Sequence, residues 1–263
     1  LEFRRVLFRS VRRVLIITVV VGVLLAPLAW LILAAMNQSG GPASPIMSAI
    51  EQTIFVFTLV SIPITAFVFA VLLYSLFGWP KVSGDAPPMQ ESPAIRTNSV
   101  AVITWTVVSS LLAGFLVVWG MTELANITYN AFGTVPSNAE AKSQPPVIVD
   151  VTGQQWVWTF KYPGYNGISS DVLYLPKDQP ILFNVTSKDV VHNFWAVELG
   201  VKVDANPGAV TQTGVVATKL GTFNIRCAEL GGLHHAYMET KVVVVTPDAF
   251  RTWVREMGGE STS

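Results

Sequence analysis

The first half of the chain is a series of long apolar stretches separated by short polar ones. Three stretches free of charged residues, at 14–35, 53–79 and 100–121, are each long enough to cross a bilayer, which takes about 20 residues. They lack the strict alternation of barrel strands, and spanning helices tolerate internal prolines such as Pro27 and Pro63. The pattern predicts a membrane anchor over residues 14–125, with three helices at about 14–36, 53–79 and 100–121.

The first of these stretches has an alternative interpretation as a cleaved signal peptide, with Arg12 and Arg13 as its basic region. The apolar cores of signal peptides run to about 7–15 residues, and this stretch is longer. We therefore favour a retained helix. It follows a basic segment, residues 1–13, whose first ten residues have the character of a non-native leader and carry little weight.

The distribution of basic residues predicts how the helices are oriented. Arg12 and Arg13 precede the first helix, Lys81 and Arg96 lie between the second and third, and the loop 37–50 has neither Lys nor Arg. Because cytoplasmic loops are enriched in basic residues, the N-terminus and the loop carrying Lys81 are predicted to face the cytoplasm. The chain after the third helix is then extracytoplasmic, in a multi-pass protein of the cytoplasmic membrane.

The second half of the chain has the pattern of an all-β domain. Residues 126–146 are polar and predict a linker. From Val147 onward, short β-branched and aromatic runs alternate with turn signals such as Asn166-Gly167 and Pro207-Gly208. This pattern predicts an antiparallel sandwich or barrel within residues 147–263. The predicted strands are 147–151, 155–162, 181–186, 222–226 and 241–246, and a short helix follows at 248–257.

Composition agrees with a membrane protein. The 263 residues are 51% hydrophobic and 13% charged, whereas soluble domains carry about a quarter charged residues. A formal net charge of zero gives no indication of nucleic-acid binding. The single cysteine, Cys227, excludes an intrachain disulfide.

The candidate chemistry is concentrated in two short segments. All three histidines and the only cysteine fall between His192 and His235. The first segment, Asp189-Val-Val-His192, is predicted at the end of a strand, and the second, from Cys227 to Met238, is predicted as a loop between strands. Two imidazoles, a thiolate and a thioether are the ligand set of copper electron-transfer sites. Any one of these residues alone is more often a core residue, but together and in this order they indicate a copper site.

These segments resemble the binuclear copper (CuA) motif of cytochrome c oxidase subunit II. In that motif Cys-x-Glu-x-Cys-Gly-x-x-His-x-x-Met follows Asp-x-x-His by about thirty-five residues, as the two segments do here. The aromatic segment 153–162 and the stretch 199–208 are also similar to that family, and the resemblance covers about residues 53–245. It implies a transmembrane α-helical anchor followed by an all-β, cupredoxin-like Greek-key sandwich that carries copper.

The resemblance also implies roles for individual residues. Glu229 would ligate copper through its backbone carbonyl, and its carboxylate would reach a magnesium ion shared with subunit I, since Mg²⁺ prefers hard oxygen ligands. Trp156 would be the point of electron entry beneath a docked cytochrome c, although a buried core aromatic remains the alternative. The implied side-chain copper ligands are His192, Cys227, His235 and Met238. The residues implied at the subunit I interface or around the ligands are Asp189, Lys202 and Asp204.

The sequence departs from the family pattern at the copper motif itself. Gly231 occupies the position of the second bridging cysteine. Because one thiolate cannot form the usual bridge of two, the predicted copper site is mononuclear or impaired. His234 adjoins an expected ligand and is predicted to lie exposed on the loop. Val157 and Ala209 replace an aromatic residue and an arginine that the family usually has.

The function implied by the resemblance is that of an enzyme subunit, the electron-transfer part of a cytochrome-c oxidase. Its partners would be a haem-bearing subunit I, where oxygen is reduced, subunit III, and cytochrome c. Three histidines are too few to ligate haem as well. The alternatives left open are a quinol oxidase subunit II with a degenerate copper site, a membrane-anchored cupredoxin electron carrier, and a nitric oxide reductase subunit.

The charge of the predicted extracytoplasmic part bears on the electron donor. Residues 123–263 hold thirteen acidic and ten basic residues. This small acidic excess has the sign that steers a basic cytochrome c toward the domain, an effect that weakens with salt. A quinol donor would arrive through the bilayer and would need no acidic outer face.

Overall fold

The computed structural model describes residues 2–36, 40–77, 98–131 and 145–260. The chain divides into two compact units. The first comprises Leu1–Ala35 and Ile54–Met121, and the second comprises Met36–Thr53 and Thr122–Ser263. The end of the second predicted helix at residues 78–79, the basic loop from Lys81 to Arg96, and residues 132–144 of the predicted linker lie outside the described residues.

The first unit is built from three long helices, α1 (Glu2–Met36), α2 (Pro45–Phe77) and α3 (Ser99–Ala131). Each contains a stretch long and apolar enough to cross a membrane. Large apolar side chains along all three are exposed, as on Val23, Phe69 and Val118, which is the surface expected of helices in lipid. These features confirm the predicted α-helical membrane anchor.

Small residues mark the closest approach of α1 and α2. Ala66 and Ala70 of α2 are buried, and a Cβ atom on Gly22 of α1 would lie 3.7 Å from the Cβ of Ala66. Glycine and alanine at such positions let the backbones of membrane helices pack closely. The Tyr74 hydroxyl also donates to Ser10 Oγ over 2.8 Å.

The helices are longer than their apolar stretches predicted. α2 begins at Pro45, eight residues before the predicted start at residue 53, and α3 extends through residues 126–131, where a linker was expected. The added turns contain polar residues such as Glu51 and Asn126. A search for charge-free stretches therefore ends before the helix does, because helix backbone bonding continues through polar residues outside the bilayer.

The second unit contains ten strands and a terminal helix. The strands are β1 (Val147–Gln154), β2 (Val157–Tyr162), β3 (Ile168–Ser170), β4 (Leu173–Pro176), β5 (Pro180–Ser187), β6 (His192–Ala196), β7 (Val201–Ala205), β8 (Thr211–Val216), β9 (Gly221–Cys227) and β10 (Glu239–Val245), followed by helix α4 (Pro247–Glu256).

The strands form two five-stranded sheets, in the orders β3-β2-β1-β5-β8 and β4-β10-β9-β6-β7. The prediction of a wholly antiparallel sandwich was wrong in detail, because β1 pairs in parallel with β5, and β4 pairs in parallel with β10. The predicted strand at 155–162 begins instead at Val157, after a turn at Gln155-Trp156. The all-β, cupredoxin-like sandwich itself is confirmed.

The core lies between the two sheets and follows from alternating side chains. In β2, Trp158, Phe160 and Tyr162 are buried while the residues between them are exposed, as expected for a strand with one face in the core. Phe194 of β6, in the other sheet, contacts the first two of these rings and Phe183 of β5, with centroids 5.5–6.2 Å apart. These aromatic contacts join the two sheets beside His192.

Part of the predicted external loop at 37–50 belongs to the second unit. Ala43 and Ser44 are buried, although both lie just before the start of α2. The Ala43 amide donates to the Glu198 carbonyl over 2.8 Å, and the Ser44 hydroxyl donates to the Leu199 carbonyl over 2.7 Å. This segment is therefore an ordered part of the domain.

Helix α4 closes one end of the sandwich through an aromatic cluster. Trp253 stacks on Tyr174 of β4 with centroids 4.4 Å apart. The buried Tyr162 hydroxyl donates to the Tyr174 carbonyl over 3.0 Å and accepts from the Tyr174 amide over 2.8 Å. Burial of this phenol raises its pKa above the ordinary value, so it stays neutral and keeps both hydrogen bonds.

Replacing Tyr162 by phenylalanine is expected to destabilise the β-domain by about 1–3 kcal/mol, the cost of leaving buried polar groups unpaired. Hydrogen exchange of the solubilised full chain measures this as a lower free energy of opening in β4 and α4. Tyr165→Phe is the matched control, since that tyrosine contacts Phe250 in the same cluster but its hydroxyl makes no side-chain hydrogen bond within the described residues. Equal effects of the two changes would contradict the role given to the Tyr162 hydroxyl.

Candidate metal centre

Two neighbouring strands hold the first pair of predicted ligands. His192 is the first residue of β6, and Cys227 is the last residue of β9. The strands are antiparallel, with Phe194 opposite Cys227, so the start of one strand lies beside the end of the other. The Asp189–His192 segment thus follows the end of β5, as predicted, and leads directly into β6.

The two side chains meet in the interior of the domain. The distance from Cys227 Sγ to His192 Nδ1 is 3.8 Å, and Sγ also lies 3.3 Å from the Glu229 carbonyl oxygen. His192 is fully buried, and 8% of Cys227 is exposed. A sulfur, an imidazole nitrogen and a carbonyl oxygen therefore converge in a space that is shielded from water.

Asp189 fixes the orientation of His192. Its carboxylate lies 2.9 Å from His192 Nε2 and also accepts the backbone amides of Gln155 and Val190. Desolvation alone would raise the pKa of Asp189, but these hydrogen bonds outweigh it and lower the pKa to about 2. The carboxylate is therefore ionised at neutral pH and can only accept. His192 Nε2 accordingly donates to Asp189, and Nδ1 is the ring nitrogen that faces Cys227.

The loop between β9 and β10 carries the other predicted ligands. Met238 is buried, and its carbonyl accepts the Cys227 amide over 3.0 Å. His235 begins a short 3-10 turn, His235–Tyr237, and its Nδ1 is buried without a hydrogen-bond partner in the described part of the chain. Across the described ranges, no three His, Cys, Asp or Glu side chains are close enough to hold a metal ion together. His192 and Cys227 are thus the pair that the fold brings together.

These residues fit one soft metal ion better than two. A buried imidazole nitrogen with no partner is costly, and a bound cation would satisfy His235 Nδ1. A thiolate and imidazoles are ligands that copper prefers. The sequence holds no second cysteine, so the bridge of two thiolates in a binuclear centre does not fit this chain.

Gly231 is held in place opposite His192. Its carbonyl accepts two side-chain hydrogen bonds, from Gln155 Nε2 over 2.9 Å and from Trp156 Nε1 over 3.1 Å. A Cβ atom at position 231 would lie 3.0 Å from His192 Nδ1. Any side chain at this position would therefore point directly at the candidate metal-binding atoms.

Trp156 lies half-buried between the surface and this loop. Its ring meets the exposed His234 ring edge-on, with centroids 4.6 Å apart. Large apolar side chains nearby are unusually open to solvent: Leu230 is 80% exposed, Leu233 86% and Tyr237 78%. Aromatic and apolar side chains thus make up much of the exposed surface around Gly231.

The remaining predicted residues lie around this centre. The Glu229 side chain is exposed, so its carboxylate is free to face a partner. Lys202 lies over the ring of Trp195, 5.3 Å from its centroid, and Asp204 accepts from Asn193 Nδ2 over 2.7 Å.

Sequence reasoning missed two supporting residues. Gln155 contributes its backbone amide to Asp189 and its side chain to Gly231, and Trp158 packs edge-on against His192 with centroids 6.0 Å apart. Both belong to the aromatic segment 153–162, but their partners are 34 to 76 residues away in the sequence. Only the fold reveals these contacts.

Several known proteins are similar to this chain in sequence. Residues 168–245 match the family model described as cytochrome c oxidase subunit II, periplasmic domain. Cytochrome c oxidase subunit 2 of Thermostichus vulcanus is 44% identical over 112 residues, which cover 43% of this chain and 34% of that protein. Cytochrome c oxidase subunit 2 of Alkalihalophilus pseudofirmus is 31% identical over 229 residues, 87% of this chain and 63% of that protein.

Among solved structures, the periplasmic domain of subunit II of cytochrome oxidase (CoxB) of Bradyrhizobium japonicum is 30% identical. The match covers 44% of this chain and 95% of the Bradyrhizobium domain, with a TM-score of 0.42. The chain spans about a third of the length of the Thermostichus protein and just under two thirds of the length of the Alkalihalophilus protein. Residues 168–245 thus match the periplasmic domain of cytochrome c oxidase subunit II, and the chain is similar to a subunit 2 of this kind over 87% of its length.

Proposed function

We propose that this chain is the electron-transfer subunit of a haem–copper oxidase that takes electrons from a soluble cytochrome c for oxygen reduction in subunit I. The observation that carries the proposal is the contact of Cys227 Sγ with His192 Nδ1 directly behind a loop bonded to Trp156. Bound copper supplies one-electron redox chemistry at such a site.

The proposed ligands are His192, Cys227, His235 and Met238, with the Glu229 carbonyl beside the thiol. His192 and Cys227 belong to adjacent strands. This attachment limits the movement of both ligands when bound copper is oxidised or reduced. Asp189 holds the His192 ring through Nε2, and hydrogen-bond partners of this kind commonly change metal affinity by about 10–100-fold when removed. The exposed Glu229 carboxylate is the group proposed to reach magnesium at the subunit I interface.

Trp156 is the proposed point of electron entry. Its indole N–H donates to the Gly231 carbonyl, so the ring is coupled by one hydrogen bond to the loop that carries the candidate ligands. Leu230, Leu233 and Tyr237 surround this approach with exposed apolar area. A docked cytochrome c would therefore meet mainly apolar side chains. The small acidic excess of the whole domain would attract the cytochrome at longer range.

The cytoplasmic membrane is the proposed location, with residues 126–263 on the extracytoplasmic side. Subunits I and III are the proposed partners in the membrane. Arg12 and Arg13, which precede the apolar part of α1, support this orientation. Protease applied to intact spheroplasts would then reach the β-domain.

Gly231 favours one alternative, a quinol oxidase subunit II in which the copper site is degenerate. The other residues of the motif, His192, Cys227, His235 and Met238, are all present, so this alternative ranks second. The two proposals differ in their donor and in the route that it takes to the complex.

Turnover of the assembled complex decides between these proposals. We expect oxidation of reduced cytochrome c that slows as salt rises and that falls with Trp156→Phe, because that change removes the hydrogen bond to Gly231. Val157→Thr is the control, as Val157 is 57% exposed beside Trp156 and belongs to neither the proposed ligands nor the entry point. Salt-insensitive quinol oxidation that is unaffected by Trp156→Phe would instead support the quinol oxidase.

A further inference from the structure

A cavity of about 450 Å³ opens between α1 and α2, at the end of the helix pair opposite the loop that joins them. It is lined by one turn of each helix: Arg13, Ile16, Ile17, Leu73, Tyr74 and Phe77. Its volume lies in the range of small-molecule sites. Nothing in the proposed copper function uses this cavity.

The polar and apolar groups of the cavity are separated. The polar lining residues are Arg13 of α1 and Tyr74, which lies in the last turn of α2. The Tyr74 hydroxyl donates to Ser10 Oγ. Ile16 and Ile17 lie one turn deeper on α1. The cavity thus has a hydrogen-bonding mouth and an apolar floor.

Arg13 is the charged residue of the cavity lining. Within the described residues, no carboxylate forms a salt bridge with Arg13. An unneutralised guanidinium beside an apolar groove matches a phosphate that carries hydrocarbon chains, since arginine binds phosphate oxygens through paired N–H groups.

We propose that this cavity binds an anionic phospholipid of the cytoplasmic leaflet. The headgroup phosphate accepts from Arg13, and one acyl chain lies along Ile16, Ile17 and Leu73. Basic pockets between membrane helices at the cytoplasmic side have the chemistry for such lipids. The lipid would fill the gap between α1 and α2 and hold the two helix ends together.

The test compares spin-labelled phosphatidylglycerol with spin-labelled phosphatidylcholine bound to the full chain in phosphatidylcholine nanodiscs. We expect selective immobilisation of phosphatidylglycerol, with Arg13→Gln lowering the preference about tenfold, as expected for loss of a hydrogen bond to a charged group. Arg12→Gln is the matched control, because it removes the same charge from the adjacent position, which does not line the cavity.

A second variant tests the apolar floor without changing charge. Ile16→Trp fills the groove and should reduce immobilisation of the lipid while leaving both arginines in place. Equal losses in Arg12→Gln and Arg13→Gln would show general attraction to a basic segment and overturn the proposal. Absence of any preference for phosphatidylglycerol would overturn it as well, as would a photo-crosslink from position 16 that captures a partner helix instead of lipid. These readouts do not depend on copper or on oxidase activity.

Discussion

Replacing Gly231 by cysteine is expected to raise the copper content of the chain from about one ion to about two, and to produce a mixed-valence electron paramagnetic resonance signal. The reason is geometric. A Cβ atom at position 231 points at His192 Nδ1 from 3.0 Å, on the side where Cys227 Sγ also lies. A second thiolate would therefore arrive where a bridge to a second copper requires it.

The backbone at position 231 is ready to accept a side chain. Its φ angle is not among the positive values that only glycine adopts easily, unlike that of Gly232 at 106°. The hydrogen bonds from Gln155 and Trp156 hold the Gly231 carbonyl in place. The cost is a shift of the His192 ring by a few tenths of an ångström, since 3.0 Å is a tight contact for a Cβ atom.

Gly231→Ala separates this steric cost from the chemistry of sulfur. It places the same Cβ against His192 but supplies no thiolate, so its copper content should stay at about one ion. If the cysteine and alanine variants bind equal amounts of copper, the loop does not present position 231 to the metal as the contact with His192 indicates.

Replacing Cys227 by serine is expected to abolish copper binding almost completely. Serine is nearly isosteric, and 8% exposure leaves little room for rearrangement, so the β-domain should remain folded. The change replaces the only thiolate by a hydroxyl, a poor ligand for copper. The loss of affinity should exceed the roughly 10–100-fold typical of removing a ligand's hydrogen-bond partner.

Metal analysis of the purified full chain and of Cys227→Ser measures this effect, with circular dichroism as the check on folding. His234→Asn is the matched control on the same loop, because His234 is exposed and packs against Trp156. Copper retained by Cys227→Ser, or lost equally in His234→Asn, would show that the ligands have been assigned to the wrong residues.

The membrane anchor was predictable because lipid imposes a simple rule on sequence. Charge-free stretches located all three helices, but not their ends. α2 begins at Pro45, where Ser44 is held by a side-chain bond to the Leu199 carbonyl. That contact spans 155 positions, and no local pattern indicates it.

The β-domain was predictable as a class and less so in its connections. Strands with clear alternation, such as β2, stood out from the sequence. Short strands such as β4 (Leu173–Pro176) did not, because their pairing with β10 is parallel and distant in sequence. Whether neighbours run parallel is decided by packing of the whole sheet, and turn residues give no information about it.

The candidate site was also predictable only in part. Residue types alone pointed to His192 and Cys227, and the fold brings this pair to 3.8 Å. The roles of Gln155 and Trp158 depend on strand pairing across the sandwich, so they were not visible beforehand. In the sequence, Gly231 is notable only as a departure from the motif. In the structure, the two hydrogen bonds to its carbonyl hold this part of the loop in place.

The copper content of the unmodified full chain, purified after growth with copper and measured together with its electron paramagnetic resonance spectrum, tests the proposed metal site most directly. We predict about one copper ion per chain with a mononuclear signal that includes a thiolate ligand. Two copper ions per chain with a mixed-valence signal, or a chain that binds no copper at all, would contradict it.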